Sequence, residues 1–440
     1  MSPTLIIWLV FVVLAFLFVV PYVRELLNRE KEVLEAHAES LEYGLYRPAS
    51  LHPVVNPDQC IGTGNCVEAC PEKDLLGLLS GQATPVSPAR CIGHGLCERS
   101  CPVNAIELVF GTSRRGVDLP RIQENFETNV PGLFVVGELG GMGLIRNAFE
   151  QGRQCIEGLQ PSSKSVDVLD VLIVGCGPAG LSCAIQAVQK GLTYRVIEKD
   201  GVGGTVLNYP KKKLVMTEPM NLPGTFSMTK REYAKEELLT IWQGLVDELK
   251  INVNEEEIVL SVDKLASGYF SVRTNKGKYA ARNVVLAIGR RGIPRKLQVP
   301  GETRFKVAYA LKNAADFAGD NVLVVGGGDS AVEAALALSE QPKTRVILSY
   351  RKDAFFRIKP DNQFRLTKAI EKDLIQILLN TNVLEIDTDT VTLSQEREPN
   401  ISLRNDFVFI FAGGTLPTDF LAQCGIKIDT VFGARSRSPK

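Results

Sequence analysis

The sequence predicts a mixed α/β protein: two parallel-sheet βαβ units, a small cysteine-rich α+β module ahead of them, and one apolar helix at the start. Three observations carry that expectation. A strand, a glycine-rich turn, a helix and a second strand follow one another from Val168 and again from Val322. Six of the ten cysteines fall between residues 60 and 101. Residues 5–23 hold no charged side chain. At 440 residues, 45% apolar and 23% charged, the chain has room for about three domains with real cores. Lys+Arg and Asp+Glu are both 50, so the basic excess of a nucleic-acid binder is missing.

The apolar helix comes first. Leu5–Val23 is nineteen residues, fifteen of them Leu, Ile, Phe or Val. At ~1.5 Å rise per residue it spans about 28 Å, close to a bilayer's hydrocarbon core. At roughly −0.4 kcal/mol per apolar residue, insertion is favoured by about −6 kcal/mol. No Lys or Arg precedes the stretch and no small-residue cleavage site follows it, which favours a transmembrane anchor over a cleaved signal. Arg24, Arg29 and Lys31 lie just beyond, so the positive-inside rule places the remainder in the cytoplasm, single-pass at the cell (inner) membrane. Residues 24–43 read as a charged helix, a solvated stalk with His37 at the surface. Residues 46–57 (YRPASLHPVVNP) read as a proline-rich linker, with His52 also at the surface.

The cysteine block is the strongest local signal. Cys60-IGTGN-Cys66-VEA-Cys70-Pro71 is followed by Cys91-IGHGL-Cys97-ERS-Cys101-Pro102, two runs with one spacing. This resembles the two-cluster bacterial ferredoxin domain over about residues 52–110. That family repeats C-x2-C-x2-C-x3-C-P, and the fourth Cys of each run ligates the other cluster. The resemblance implies one iron–sulfur cluster on Cys60, Cys66 and Cys101 and another on Cys91, Cys97 and Cys70. Thr63 and His94 stand where the second Cys of each run belongs. Each site therefore keeps three thiolates. That suits a 3Fe–4S cluster, a 4Fe–4S cluster with water or His94 on the odd iron, or a decayed, empty domain. Imidazole can ligate cluster iron, which makes His94 a candidate metal ligand. A lone zinc site fits the doubled spacing poorly.

Two dinucleotide fingerprints follow. The apolar run 168–174 opens into Gly175-Cys176-Gly177-Pro178-Ala179-Gly180 and a helix, and a second strand ends in Glu198. The glycines allow a tight turn and close approach of a pyrophosphate, the helix N-terminus offers N–H donors, and Glu198 can bind a ribose hydroxyl. The second fingerprint holds Gly326, Gly328 and Ala331, with Asp329 and Ser330 between them. Its second strand ends at Tyr350 without an acid, and Arg351, Lys352 and Arg357 follow. Cations there suit a 2′-phosphate, so NADPH is expected over NADH.

Two such fingerprints about 150 residues apart resemble the two-dinucleotide-binding flavoproteins, thioredoxin reductase-like and bacillithiol-disulfide-reductase-like, over roughly residues 166–430. Gly203-Gly204-Thr205, the stretch 284–302 and the stretch 405–421 add to the likeness. The resemblance implies FAD on the first fingerprint, with Gly204 and Thr205 near it, the nicotinamide nucleotide on the second, and a homodimer. Two departures inform the function. No two cysteines stand three apart, so the family's redox C-x-x-C is absent. Cys155, Cys176, Cys183 and Cys424 are expected to be buried packing residues. The family's last strand, its Gly-Asp loop on the flavin ribityl chain and its last helix are expected after the second crossover; a matching piece stands instead at 126–158, with Gly137 and Glu138 in the loop.

The expected architecture is thus tandem FAD- and NAD(P)-binding Rossmann-like domains, the FAD domain circularly permuted, preceded by an α+β ferredoxin-like domain and one N-terminal transmembrane helix. The expected boundaries are 1–24 anchor, 25–51 stalk and linker, 52–110 iron–sulfur domain, 111–160 permuted FAD segment, 166–300 FAD domain, 301–410 NAD(P)H domain and 411–440 return segment. The expected activity passes electrons from NADPH through FAD to two iron–sulfur clusters and on to a redox partner protein or a membrane quinone, with no side-chain nucleophile. A low-molecular-weight disulfide reductase without C-x-x-C, and a redox sensor with negligible turnover, are the competing readings.

Overall fold

The computed structural model describes residues 3–42, 48, 51–72, 75–113, 116–141, 143–162, 168–217, 219–222, 227–290, 293–355, 358–395, 398–415 and 417–435. It divides into two units, residues 1–117 with 431–440, and residues 118–430.

In the first unit, helix α1 runs unbroken from Pro3 to Glu42, with Pro21 inside it. Its first half leaves Trp8, Phe11, Phe16 and Phe18 exposed, and it is long and apolar enough to cross a membrane. Its second half carries the i,i+4 pairs Arg29–Glu25 and Lys31–Glu35, which support the helix by a few tenths of a kcal/mol each (~0.3–0.5). This half is not a fully solvated stalk. It packs on the hairpin of strands β2 (Leu76–Leu79) and β3 (Gln82–Pro85). A Cβ on Gly77 would fall 2.4 Å from a Val33 methyl, and the Ser80 N–H donates to the Glu30 carboxylate at 2.7 Å.

The expected linker also contains structure. Leu51–Val55 forms strand β1, antiparallel to strand β4 (Ile106–Phe110), and His52 is buried there, not at the surface. The ladder buries Leu51, His52 and Pro53 together, overriding the turn-like composition. His37 is likewise half-buried. Two short helices, α2 (Asn65–Ala69) and α3 (Leu96–Arg99), follow the two cysteine loops. Ala434–Arg435, within the expected 411–440 return segment, pairs with the other edge of β4.

The second unit holds two large sheets, one mixed and one all-parallel. Strand β5 (Val117–Pro120) pairs with Ile428–Val431. Strand β6 (Leu133–Val135), helix α4 (Ile145–Glu157), strand β7 (Leu169–Val174), helix α5 (Pro178–Gln189) and strand β8 (Tyr194–Ile197) follow in order. The larger sheet runs Val253–Asn254, β8, β7, Lys278–Leu286, then the antiparallel strands Phe270–Thr274 and Val259–Lys264. Strand Lys278–Leu286 is shared along its length. Its first part pairs with Phe270–Arg273 antiparallel, and Val284–Leu286 pairs with β6 parallel. Strand β7 is apolar on both faces, as a strand covered on both sides must be, and Val171, Leu172 and Ile173 are fully buried. Helices α4, α5 and α6 (Lys235–Glu248) cover one face through Phe149, Cys183, Leu238 and Trp242. The smaller sheet runs Val307–Ala308, Phe407–Ile410, Asn321–Val325, Arg345–Tyr350 and Ile375–Leu379, all parallel, with helix α7 (Asp329–Ser339) on it.

Candidate functional site: two thiol sets and two glycine loops

The two cysteine loops share a backbone. Gly62 and Gly64 (φ 71° and 75°) flank Thr63, and Gly93 and Gly95 (φ 83° and 71°) flank His94. Left-handed residues on both sides curl each loop so that its thiols converge, a conformation glycine alone takes without strain. Cys60, Cys66 and Cys101 line one cavity, with Thr63, Ala83 and Ala105. Two peptide N–H groups point at its sulfurs: Ala83 donates to Cys60 Sγ at 3.4 Å and Ala105 to Cys101 Sγ at 3.2 Å. Burial pushes the Cys66 thiol up from its ordinary value, and the neighbouring Cys101 and Cys60 push in the same direction.

The second set follows the same rule. Burial raises Cys91 to about 12, with Cys70 beside it, and raises Cys97 to about 12, with Cys91 and Cys70 beside it. Burial raises Cys70 as well. Cys60, Cys66 and Cys101 thus share one cavity, and Cys70, Cys91 and Cys97 lie near enough to one another that Cys70 raises Cys91 and both raise Cys97. Among the described residues, no three His, Cys, Asp or Glu side chains are gathered tightly enough for a single metal ion. Thiols set around a cavity, with peptide N–H groups on the sulfurs, fit a cluster better than a point charge. His94 is half-buried in its loop, and its carbonyl accepts from Arg99 at 3.2 Å.

In the second unit the first glycine loop sits where β7 meets α5. Gly175 (φ 101°) has no room for a Cβ, which would lie 2.6 Å from the Ala287 carbonyl. A Cβ on Gly180 would fall closer still, 1.9 Å from the Gly175 carbonyl, while Pro178 and Ala179 open α5. The Glu198 carboxylate is buried beneath the loop, accepting the N–H of Cys176 at 2.5 Å and of Asp200 at 3.0 Å. Gly204, with Thr205 exposed beside it, packs on Gly177, and Gly203 donates to the Cys176 carbonyl at 2.9 Å. Burial, and next the Glu198 carboxylate, push the Cys176 thiol well up. It is fully buried in the core that α4, α5 and α6 cover. Cys155, Cys183 and Cys424 are also buried.

Gly137 meets this loop from the other side. A Cβ on it would touch Ala179 at 3.0 Å, and its N–H donates to Gln151 Oε1 at 2.8 Å. Glu138 follows, half-buried, facing Gly143. Two positions in this contact carried a signal that sequence reading passed over. Gly152 in the middle of α4 marks a close approach, since its Cβ would fall 2.3 Å from the Ala179 carbonyl. Gln151, its neighbour in the chain, is a buried amide.

The second loop repeats the arrangement. Gly326 abuts the Phe411 carbonyl, and Gly328 precedes α7, whose first turn holds Asp329, Ser330 and Ala331. The Asp329 carboxylate accepts the Lys359 N–H at 2.8 Å and the Asn362 amide at 2.7 Å, tying the segment after residue 357 to the loop. Arg351 and Lys352 are exposed at the strand end. Arg357 lies outside the described residues. Tyr350 was not anticipated: its ring lies over Gly327 and stacks on Phe355 at 5.3 Å and 12°.

Each helix N-terminus, with its glycine loop, fits a pyrophosphate, and the buried Glu198 fits a ribose. A family described as pyridine nucleotide-disulphide oxidoreductase matches residues 172–433, and a 4Fe-4S dicluster domain matches residues 52–102. The chain is 30% identical over 292 residues to a ferredoxin–NADP reductase of Thermus thermophilus, covering 61% of this chain and 82% of that protein. It is 30% identical over 266 residues to bacilliredoxin reductase Bdr of Bacillus subtilis, covering 60% and 82%. The solved bacillithiol disulfide reductase Bdr of Bacillus cereus overlays with a TM-score of 0.54 at 30% identity, covering 62% of this chain and 86% of that one. Since both nucleotide loops fall inside a match that takes in more than half of the residues, the chain belongs to the pyridine nucleotide-disulphide oxidoreductases, FAD-dependent redox enzymes, and carries a 4Fe–4S dicluster domain ahead of that fold.

Proposed function

We propose that this chain is a membrane-anchored, NADPH-dependent oxidoreductase that passes electrons from NADPH through FAD to its two cluster sites and then to a redox partner protein or a membrane quinone. The observation that carries the reading is the pairing of two sets of three converging thiols with two nucleotide loops in a chain that has no C-x-x-C. When bound, FAD supplies hydride acceptance and single-electron release, and iron–sulfur clusters supply single-electron transfer. The chain's own residues bind and orient. The α5 N-terminus with Gly175, Gly177 and Gly180 would hold the FAD pyrophosphate, Glu198 its ribose, and Gly137 and Glu138 the ribityl side. The α7 N-terminus with Gly326, Gly328 and Ala331 would hold the nicotinamide nucleotide, and Arg351, Lys352 and Arg357 its 2′-phosphate.

The flavin domain is read as circularly permuted, because β6 and α4 supply the parallel strand and covering helix from a position before β7. His94 is read as a ligand of the Cys70, Cys91 and Cys97 site. Its loop copies the loop in which Thr63 lines the first cavity. A homodimer and a cytoplasmic catalytic part complete the reading.

The likeness to Bdr favours a second reading, a disulfide reductase that uses its flavin without a C-x-x-C. Purified full-length protein separates the two. Electron transfer predicts that NADPH bleaches the flavin anaerobically. It also predicts that Cys66→Ser with Cys97→Ser abolishes reduction of one-electron acceptors. Disulfide turnover that survives both substitutions, with one-electron transfer unchanged, would establish the second reading and discard the first.

A further inference from the structure

Three contacts run in series from α1 to one of the two thiol sets. Glu30 and Val33 of α1 grip the β2–β3 hairpin at Ser80 and Gly77. The tip of that hairpin presses on the first cysteine loop, where a Cβ on Gly62 would fall 2.0 Å from the Gly81 carbonyl. The hairpin also holds the near wall of the cavity: Ala83 donates to Cys60 Sγ, and the Gln82 amide donates to the Pro57 carbonyl at 2.8 Å. The Cys60, Cys66 and Cys101 site is therefore fastened to the anchor helix through hairpin backbone and the Glu30, Val33 and Gln82 side chains.

The position of the grip along α1 sets a height. Glu30 and Val33 lie seven and ten residues past Val23, a rise of about 10–15 Å. The polar headgroup layer is about 5–7 Å deep on each side of the hydrocarbon. Exposed Leu26 and Leu27 extend the apolar surface of α1 further toward the grip, which lowers that height. We infer that α1 is a rigid strut holding the Cys60–Cys66–Cys101 site against the membrane surface, and that this site, not the Cys70–Cys91–Cys97 site, exchanges electrons with a lipid-dissolved quinone. The inference rests on the anchored electron-transfer reading above and adds the exit site and the class of acceptor. The balance is closed: NADPH gives a hydride, two electrons and one proton, and becomes NADP+. The quinone takes two electrons, that proton and one more from water, and becomes the hydroquinone.

The test uses the full chain in phosphatidylcholine vesicles doped with a headgroup-nitroxide lipid, and a fluorescent side chain at the exposed Gln59, next to Cys60. A seven-residue helical insertion after Leu27 lifts the grip by about 10 Å and turns it by only about 20°. Both proteins should float with the vesicles. Quenching at residue 59 should fall at least threefold in the insertion variant, and reduction of a short-chain quinone in the bilayer at least tenfold, while ferricyanide reduction stays within twofold. Equal quenching in the two proteins, or an unchanged quinone rate, overturns the strut while leaving the anchor and the electron path standing. Absence of flotation removes the anchor, and the strut with it. Absence of ferricyanide reduction in the uninserted protein removes the electron-transfer reading, and the acceptor assignment with it.

Discussion

Gly152 shows how much one hydrogen decides. It stands mid-helix, where glycine costs about 1 kcal/mol relative to alanine. Its missing side chain lets α4 lie on the Ala179 carbonyl at the start of α5. Gly152→Ala is expected to push α4 off the first glycine loop and weaken flavin retention at least tenfold, read by FAD titration of the stripped protein. Charge acts differently at Arg351 and Lys352, which are exposed and hold no part of the core. Replacing both with Ala should raise the KM for NADPH about tenfold or more and leave that for NADH nearly unchanged, in steady-state assays with each nucleotide. Glu302 is a purely structural residue. Burial pulls its carboxyl up, but donors from the Leu297 and Gln298 N–H groups and the Tyr309 hydroxyl outweigh that and hold it below the ordinary 4.5. Its stabilisation is present above about pH 4.5 and is lost as pH falls through the lower, folded value. Glu302→Gln should therefore lower Tm at pH 7 by a cost of about 1–3 kcal/mol and shrink the wild-type loss of Tm below pH 4.5, measured by calorimetry.

At the scale of elements, the two cysteine loops are near copies that differ at two positions, Thr63 against His94 and Asn65 against Leu96. The same curled backbone presents a hydroxyl in one and an imidazole in the other. His94→Ala is expected to change the spin-resonance signal of one cluster and leave the other unmoved, whereas Cys66→Ser should act on the other cluster alone. Changes in both signals from either substitution would show that the sites are not independent. The β2–β3 hairpin is a second such element, since it serves as a wall of the first cavity and as the seat of α1. Its packing leaves no volume at Gly77. Gly77→Val should cost about 1–3 kcal/mol by overpacking and speed hydrogen exchange of the Ser80 amide several-fold.

At the scale of the whole molecule, each unit is closed by chain that comes from far away in sequence. The sheet of the first unit takes Ala434–Arg435, and a core cluster of the larger sheet in the second takes Leu421, Cys424 and Ile426 together with Leu133 and Leu139. Truncation inside the last dozen residues is thus expected to loosen the iron–sulfur unit more than the nucleotide-binding one, visible as earlier cluster loss on warming with flavin retained.

Both glycine loops, Glu198, the two cysteine runs and the apolar stretch were legible in the residues alone. Each is a local device: a tight turn needs glycine at set positions, a cluster needs thiols at set spacing, and a spanning helix needs about twenty apolar residues in a row. The docking of α4 on α5, the burial of His52 in a ladder, the stacking of Tyr350 on Phe355 and the grip of Glu30 on the hairpin were decided only by the tertiary structure. They join residues that the chain keeps far apart or in a composition typical of turns and stalks. Nothing within a short window distinguishes a charged helix that stays in water from one whose single valine finds a glycine on a neighbouring strand.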